Sequence, residues 1–281
     1  MFKKILLCYD FSQPSEELFN FLDELKEFDA EEVIITHVIE EGMRAFKIHE
    51  KAEEYFAPKK KELEEKGFLV HVEIPVGFLA EEVKRLARRE NVSLILLGAR
   101  GKSRIKEMLL GSLASNVIRI AENPVFIEKY KKENGDYKPV CSEKFCKILC
   151  PTDFSDPSLE IFEKVKELAK MRPDKIKEVV LSHVIARGES EKEIEAYKGK
   201  ALGFLERMKK DLEAFGPQVK TDLSQGMPSE VINALAEEEG TTLIIMATRG
   251  AGGIKELLLG STAENVARRS TRPVMLFPVK P

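Results

Sequence analysis

The chain contains no tryptophan and four cysteines, and neither sign of charge dominates, with Lys+Arg 45 against Asp+Glu 48. Each scarcity excludes something. Disulfide-stapled secreted scaffolds are dense in cysteine. Cys141, Cys146 and Cys150 lack the close CxxC pairing of zinc sites. They read as structural or incidental, and a Cys141–Cys146 redox clip is the sharper alternative. A formal net charge of -3 carries no basic stripe of the kind that marks nucleic-acid binders. The Lys-rich stretch 59–61 runs straight into Glu62, Glu64 and Glu65, as on a solvated helix face. No apolar run approaches the ~18–20 residues that cross a bilayer. The first residues open a strand at Phe2, without the layout of a signal peptide. The expectation is a cytoplasmic protein with neither membrane nor nucleic acid as partner.

What is present points to a globular protein. Of 281 residues, 43% are hydrophobic and 33% charged, enough apolar material for a core and too much for large-scale disorder. That length suits two domains of ~100–200 residues. Abundant Glu and Lys with few Gln hints at a heat-adapted source.

The sequence repeats itself. Lys4-Ile-Leu-Leu-Cys-Tyr-Asp-Phe-Ser12 recurs as Lys147-Ile-Leu-Cys-Pro-Thr-Asp-Phe-Ser155, and the His-Val-Ile of 37–39 recurs at 183–185. Residues 101–112 recur as 250–261, and Asn-Pro-Val at 123–125 recurs as Arg-Pro-Val at 272–274. A period this long means two whole domains rather than a solenoid. We place them at 1–138 and 139–281, with the polar, turn-rich stretch of about 130–145 as linker.

Within each copy, short apolar runs alternate with helical patterns. Runs at 5–8, 33–39, 69–74, 93–97 and Val125–Glu128 predict strands in the first copy. Runs at 148–150, 179–185, 219–223, 242–246 and Val274–Phe277 predict them in the second. Leu18, Phe21, Leu22 and Leu25, and then Leu159, Phe162, Val165 and Leu168, fall at helical spacing after the first strand. Long charged helices are expected over about 42–66 and 189–214. This alternation predicts a doubly wound α/β fold, a parallel sheet with helices on both faces. Ligands of such sheets bind at the carboxyl ends of the strands, where strand order reverses.

Two motifs stand at that edge. The first copy reads Gly98-Ala-Arg-Gly101, nine residues, then Gly111-Ser112. Glycines after a strand permit a tight turn and close backbone approach. A helix opening at the third glycine offers amide donors and a positive end to phosphate, and Ser112 and Ser115 add hydroxyls. Asp10 ends the first strand. Its carboxylate only accepts hydrogen bonds, which suits the exocyclic amine of adenine and disfavours an oxo group. Asp10 and Asp153 would equally serve as caps for the helices that follow. His37 and His183 occupy equivalent strand positions and read as hydrogen-bonded structural residues. Arg100 and Arg249 either touch phosphate or are solvated loop arginines. No metal site is expected.

The Asp-Phe-Ser turn, His-Val-Ile, Gly-x2-Gly-x9-Gly-Ser and Asn/Arg-Pro-Val together resemble the universal stress protein (UspA) family over nearly the whole chain. That resemblance implies five parallel strands per domain in a Rossmann-like fold, similar to adenine nucleotide alpha hydrolases, and ATP binding through the glycine loop, with Mg2+ or with AMP in its place. It implies that Asp10 and the backbone at Val38 meet adenine. Gly98 and Gly101 would lie near the ribose and first phosphates, and Gly111, Ser112 and Ser115 would hold phosphates. Carried to the second copy, these become Asp153, Val184, Gly250, Gly260 and Ser261. That copy departs from the pattern, with Ala247 for Gly98 and Glu264 for Ser115. The methyl group threatens close approach, and the carboxylate repels a triphosphate unless a metal intervenes. The first copy is therefore the expected site, and the second stays open.

Neither a Walker Lys-Thr pair nor a dedicated general base stands in the loop. The function expected is ATP-dependent regulation in a stress response. A slow ATP hydrolase and a nucleotide-free interaction module are the alternatives. The resemblance also implies that the last strands of the two copies pair within the chain, and that a homodimer is possible.

Overall fold

Near-continuous apolar runs make strands here because each is covered on both faces. Leu6 and Leu7 in the first strand, Ile34 and Ile35 in the second and Ile95 and Leu96 in the fourth are no more than 1% exposed. A buried Leu or Ile contributes about 1.5–3 kcal/mol, which favours the strand ladder over alternative pairings. The computed structural model describes residues 1–40, 45–99, 110–186, 191–250 and 259–279. It divides into two units, Met1–Pro139 and Val140–Pro281.

The first unit runs β1 (Lys4–Cys8), α1 (Gln13–Lys26), β2 (Glu32–Thr36), α2 (Ala45–Glu65), β3 (Leu69–Glu73), α3 (Leu79–Arg89), β4 (Leu94–Gly98), α4 (Ser112–Ile120) and β5 (Val125–Glu128). Its strands lie parallel in the order β3-β2-β1-β4-β5. A short hairpin follows, β6 (Tyr130–Glu133) and β7 (Asp136–Pro139). The second unit repeats the plan with β8 (Lys147–Pro151), α5 (Asp156–Met171), β9 (Glu178–Ile185), α6 (Glu191–Glu213), β10 (Gln218–Gln225), α7 (Pro228–Glu238), β11 (Leu243–Ala247), α8 (Ser261–Arg269) and β12 (Val274–Phe277). Its order is β10-β9-β8-β11-β12, again parallel. Strand order reverses between β1 and β4 and between β8 and β11, so both sequence motifs stand at a reversal point.

Two expectations change. The stretch expected to be only linker contains the β6–β7 hairpin. Its turn is Asn134-Gly135, with φ of 53° and 96°, and Glu133 pairs with Asp136 across it. An Asn-Gly pair supplies the positive φ that tight hairpins need. The hairpin is tied to α1, because the Gln13 side chain donates from Nε2 to Tyr137 O at 2.7 Å and accepts from Tyr137 N at 2.8 Å. In α5, Leu159 is 39% exposed and Ile161 is buried beside Phe162, Val165 and Leu168. The apolar face is thus rotated from the predicted one.

Among the described residues, no helix is long and apolar enough to cross a membrane, and no group of three or more His, Cys, Asp or Glu is placed to hold a metal ion.

Candidate functional site

The site begins at the turn after the first strand of each unit. Phe11 and Phe154 both adopt left-handed backbone, with φ of 59° and 60°. Such a conformation costs a bulky residue about 1–3 kcal/mol and persists only where its surroundings enforce it. The enforcement is the same in both copies. Asp10 Oδ1 accepts from Ser12 N at 3.0 Å and from Ser12 Oγ at 2.5 Å. Asp153 Oδ1 accepts from Ser155 N at 3.1 Å and Ser155 Oγ at 2.5 Å. Ser12 and Ser155 are the N-cap residues of α1 and α5. Each aspartate therefore holds the cap residue rather than capping the helix itself.

The histidines brace this turn from the neighbouring strand. His37 Nδ1 lies 2.8 Å from Tyr9 O, and His183 Nδ1 lies 2.8 Å from Thr152 O. The Nδ1–H donates to a carbonyl, which leaves Nε2 as the acceptor of the neutral ring. The Phe11 ring meets His37 edge-on at 4.5 Å, and Phe154 stacks on His183 at 4.4 Å. Tyr9 differs from its counterpart Thr152. Its phenol hydrogen-bonds to Glu16 and to Tyr55. Burial, then the Glu16 carboxylate, push its pKa far up. Burial alone raises the Cys8 thiol, and it pushes Cys150 up to about 12. All four cysteines lack a disulfide.

The glycine loop leaves from β4 and β11 and returns to the same place. Gly111 N donates to Ala99 O at 2.8 Å, and Gly260 N donates to Thr248 O at 2.7 Å. A Cβ on Gly260 would lie 3.2 Å from Thr248 O, which explains the glycine. The next helix turn closes with Ser115 N to Gly111 O at 2.9 Å and Glu264 N to Gly260 O at 3.0 Å. The amides of the three preceding residues are those a helix start leaves without intrahelical partners. Gly101 and Arg100 lie outside the described residues.

In the second unit the predicted residues come together. Asp153, Val184, Gly250, Gly260 and Ser261 line one cavity of about 300 Å3, with Ala247 in its wall and Ile232 and Met246 as apolar neighbours. Ala247 does not demand a glycine's freedom. It ends β11 as an extended residue paired with Phe277, as Gly98 pairs with Glu128. Arg249 is not a solvated loop arginine: it is 9% exposed and donates from Nη2 to Val279 O at 2.8 Å. Thr152, Ser182 and Thr248 also line this cavity, and all are buried. They are absent from the sequence-based set, although the period-2 alternation of a strand puts Ser182 on the same face as Val184.

In the first unit, Asp10, Val38 and Gly98 stand at the carboxyl ends of β1, β2 and β4 respectively, and β1 lies between the other two strands. Exposed Ser112 opens α4 and lines a groove of about 490 Å3 with Glu40 and Phe78. Ser115 is half-buried, one turn further on.

Comparison with known proteins gives one family. The model described as "Universal stress protein family" matches residues 1–129 and 144–278. A universal stress protein of Methanocaldococcus jannaschii is 36% identical over 157 residues, 47% of this chain and 97% of that protein. One from Synechocystis is 24% identical over 277 residues, 98% of this chain and 88% of its own. The crystal structure of a universal stress protein from Archaeoglobus fulgidus superposes with a TM-score of 0.76 at 28% identity, covering 99% of this chain and 98% of that one.

Proposed function

This chain belongs to the universal stress protein family, and we propose that it is a cytoplasmic, adenine-nucleotide-binding regulator whose ATP-bound form is read by partners in a stress response. One observation carries the reading. The second unit's cavity gathers an acceptor carboxylate (Asp153), a close-approach glycine (Gly260) and the start of a helix (Ser261) around about 300 Å3. The smaller purine ligands require a space of this size, and the donor set matches the two ends of such a ligand. Asp153 accepts from the exocyclic amine, the backbone at Val184 meets the base, and Gly250, Gly260 and Ser261 approach the phosphates, with magnesium accompanying a triphosphate. The same roles in the first unit fall to Asp10, Val38, Gly98, Gly101, Gly111, Ser112 and Ser115.

The proposal extends to pairing of the two copies through their last strands, Val125–Glu128 and Val274–Phe277. Sedimentation at rising concentration tests for a homodimer. Calorimetric titration of nucleotide-stripped protein with ATP and magnesium tests the binding. One or two sites per chain is the expected result, and no heat from a folded protein would refute it. Phosphate release with a Ser112→Ala control distinguishes binding from slow hydrolysis.

A further inference from the structure

We infer that Thr36 is a further ligand-recognition residue of the first unit: its hydroxyl hydrogen-bonds to the bound adenine base, and Arg89 is the positioning residue that keeps it free to do so. The inference rests on the adenine-nucleotide reading above. It adds two residues that lie outside the repeated motifs.

Thr36 ends β2 and is 1% exposed. Among the described residues, its Oγ1 is a buried oxygen with no hydrogen-bond partner. Buried polar groups are paired as a rule, and each orphan calls for an explanation. The position of Thr36 supplies one. The period of a strand puts it on the same face as Val38, the residue to which the reading gives base contact. Its counterpart in the second copy, Ser182, lines the cavity together with Val184. Burial does not remove such a residue from reach, because Ser182 is 0% exposed and still lines that cavity. A base seated in the first unit as the reading seats it in the second therefore brings a polar atom to Thr36. A hydroxyl both donates and accepts, so it suits a ring nitrogen of adenine.

The two copies treat this hydroxyl differently, and the neighbouring strand shows why. Ser182 stands opposite Asp222 and donates to its Oδ2 at 2.9 Å. Thr36 stands opposite Glu73 in the same register. Glu73 is engaged elsewhere: Arg89 Nη2 donates to its Oε1 at 2.6 Å. A charge-assisted bond of this kind is stronger than one from a neutral hydroxyl, so Glu73 stays with the arginine. Arg89 closes α3, whereas the residue that closes α7 is Glu238, which has no donor for a carboxylate. Asp222 is thus left to Ser182, whose proton is committed. Thr36 keeps its proton for a ligand.

Photoaffinity labelling of the full, nucleotide-stripped chain with 2-azido-ATP and magnesium, followed by peptide mapping, reads each unit separately. Thermal melting of the ligand-free chain reads the fold. Thr36→Val keeps the shape and removes the hydroxyl. It should raise the probe concentration for half-maximal first-unit labelling about tenfold and leave second-unit labelling unchanged. The ligand-free melting temperature should stay the same or rise, because an orphan polar atom has been removed. Thr36→Ser should label within about threefold of the parent. Arg89→Leu releases Glu73 to Thr36, as Asp222 is available to Ser182. It should weaken first-unit labelling about threefold or more, with no further effect in the Thr36→Val background. Unchanged first-unit labelling in Thr36→Val, or a lower melting temperature of its ligand-free form, would overturn the role of Thr36. Additive effects of the two substitutions would overturn that of Arg89. Parent label confined to the second unit would overturn the inference while leaving the adenine reading intact there. Label on neither unit would overturn that reading, and this inference with it.

Discussion

Asp153 leaves no room for a side chain on Gly250: a Cβ there would sit 2.0 Å from Asp153 Oδ2. The carboxylate cannot swing away cheaply, because its other oxygen is held by Ser155. Gly250→Ala should therefore displace Asp153 and weaken adenine binding in the second unit at least tenfold. Gly250 is exposed, so the unfolding free energy should change by less than ~1 kcal/mol. Calorimetry and thermal melting of the same variant test both parts.

Asp153→Asn keeps the shape and replaces a pure acceptor with a group that also donates. A hydrogen bond to a charged group is worth about 1.5–3 kcal/mol. Preference for AMP over IMP in the second unit should fall by at least tenfold. An unchanged preference in competition experiments would remove Asp153 from base recognition.

Ala247→Gly tests the steric part of the second copy's departure from the pattern. Ala247 is extended and paired in the sheet, so removing its methyl should change ATP affinity less than about threefold. The variant should still lose about 0.5–1 kcal/mol of stability, because glycine is unfavourable within a strand. A large gain in ATP affinity would make the methyl group a barrier to the ligand.

Acid should act on a ring of charges at the other end of the second sheet. Lys147 Nζ lies 3.1 Å from Glu178 and 2.8 Å from Glu239, and Lys220 Nζ lies 2.9 Å from each. Burial alone would raise Glu178, but the two ammonium groups outweigh it and hold its pKa low. Hydrogen bonds from Lys147 and Lys220 lower Glu239. Carboxylates depressed in the folded state contribute stability that is complete above their unfolded pKa, near 4.3. That stability is lost as pH falls through the depressed values. Lys220→Met should make the loss below about pH 4.5 shallower. Urea unfolding from pH 7 downward tests this, and parallel curves for parent and variant would count against it.

Much of this was legible in the chain, for reasons that particular residues make plain. Strands 125–128 and 274–277 announce themselves by a Pro before an apolar run, which in the first copy ends in Glu128, and the doubled Asp-Phe-Ser and Gly-Ser motifs stand at both reversal points. Two things were not legible, and a third was masked by its surroundings. Leu159 and Ile161 both fit a helical stripe, and only packing decides which one is buried. Arg249 looks like any loop arginine until Val279 O is brought to it from 30 residues away. Asn134-Gly135 was a readable hairpin signal, obscured because the strands beside it, Tyr130–Glu133 and Asp136–Pro139, are polar rather than apolar.

The Gln13–Tyr137 clamp sets where this chain can be divided. The family match pauses at residue 129, which makes that position an inviting place to cut. A fragment ending there would strip α1 of both backbone groups that its first residue grips, and a cut before Pro139 would sever the Tyr130–Pro139 pair that closes the hairpin. A free-standing first half therefore has to carry its hairpin with it, and the scissors belong after Pro139.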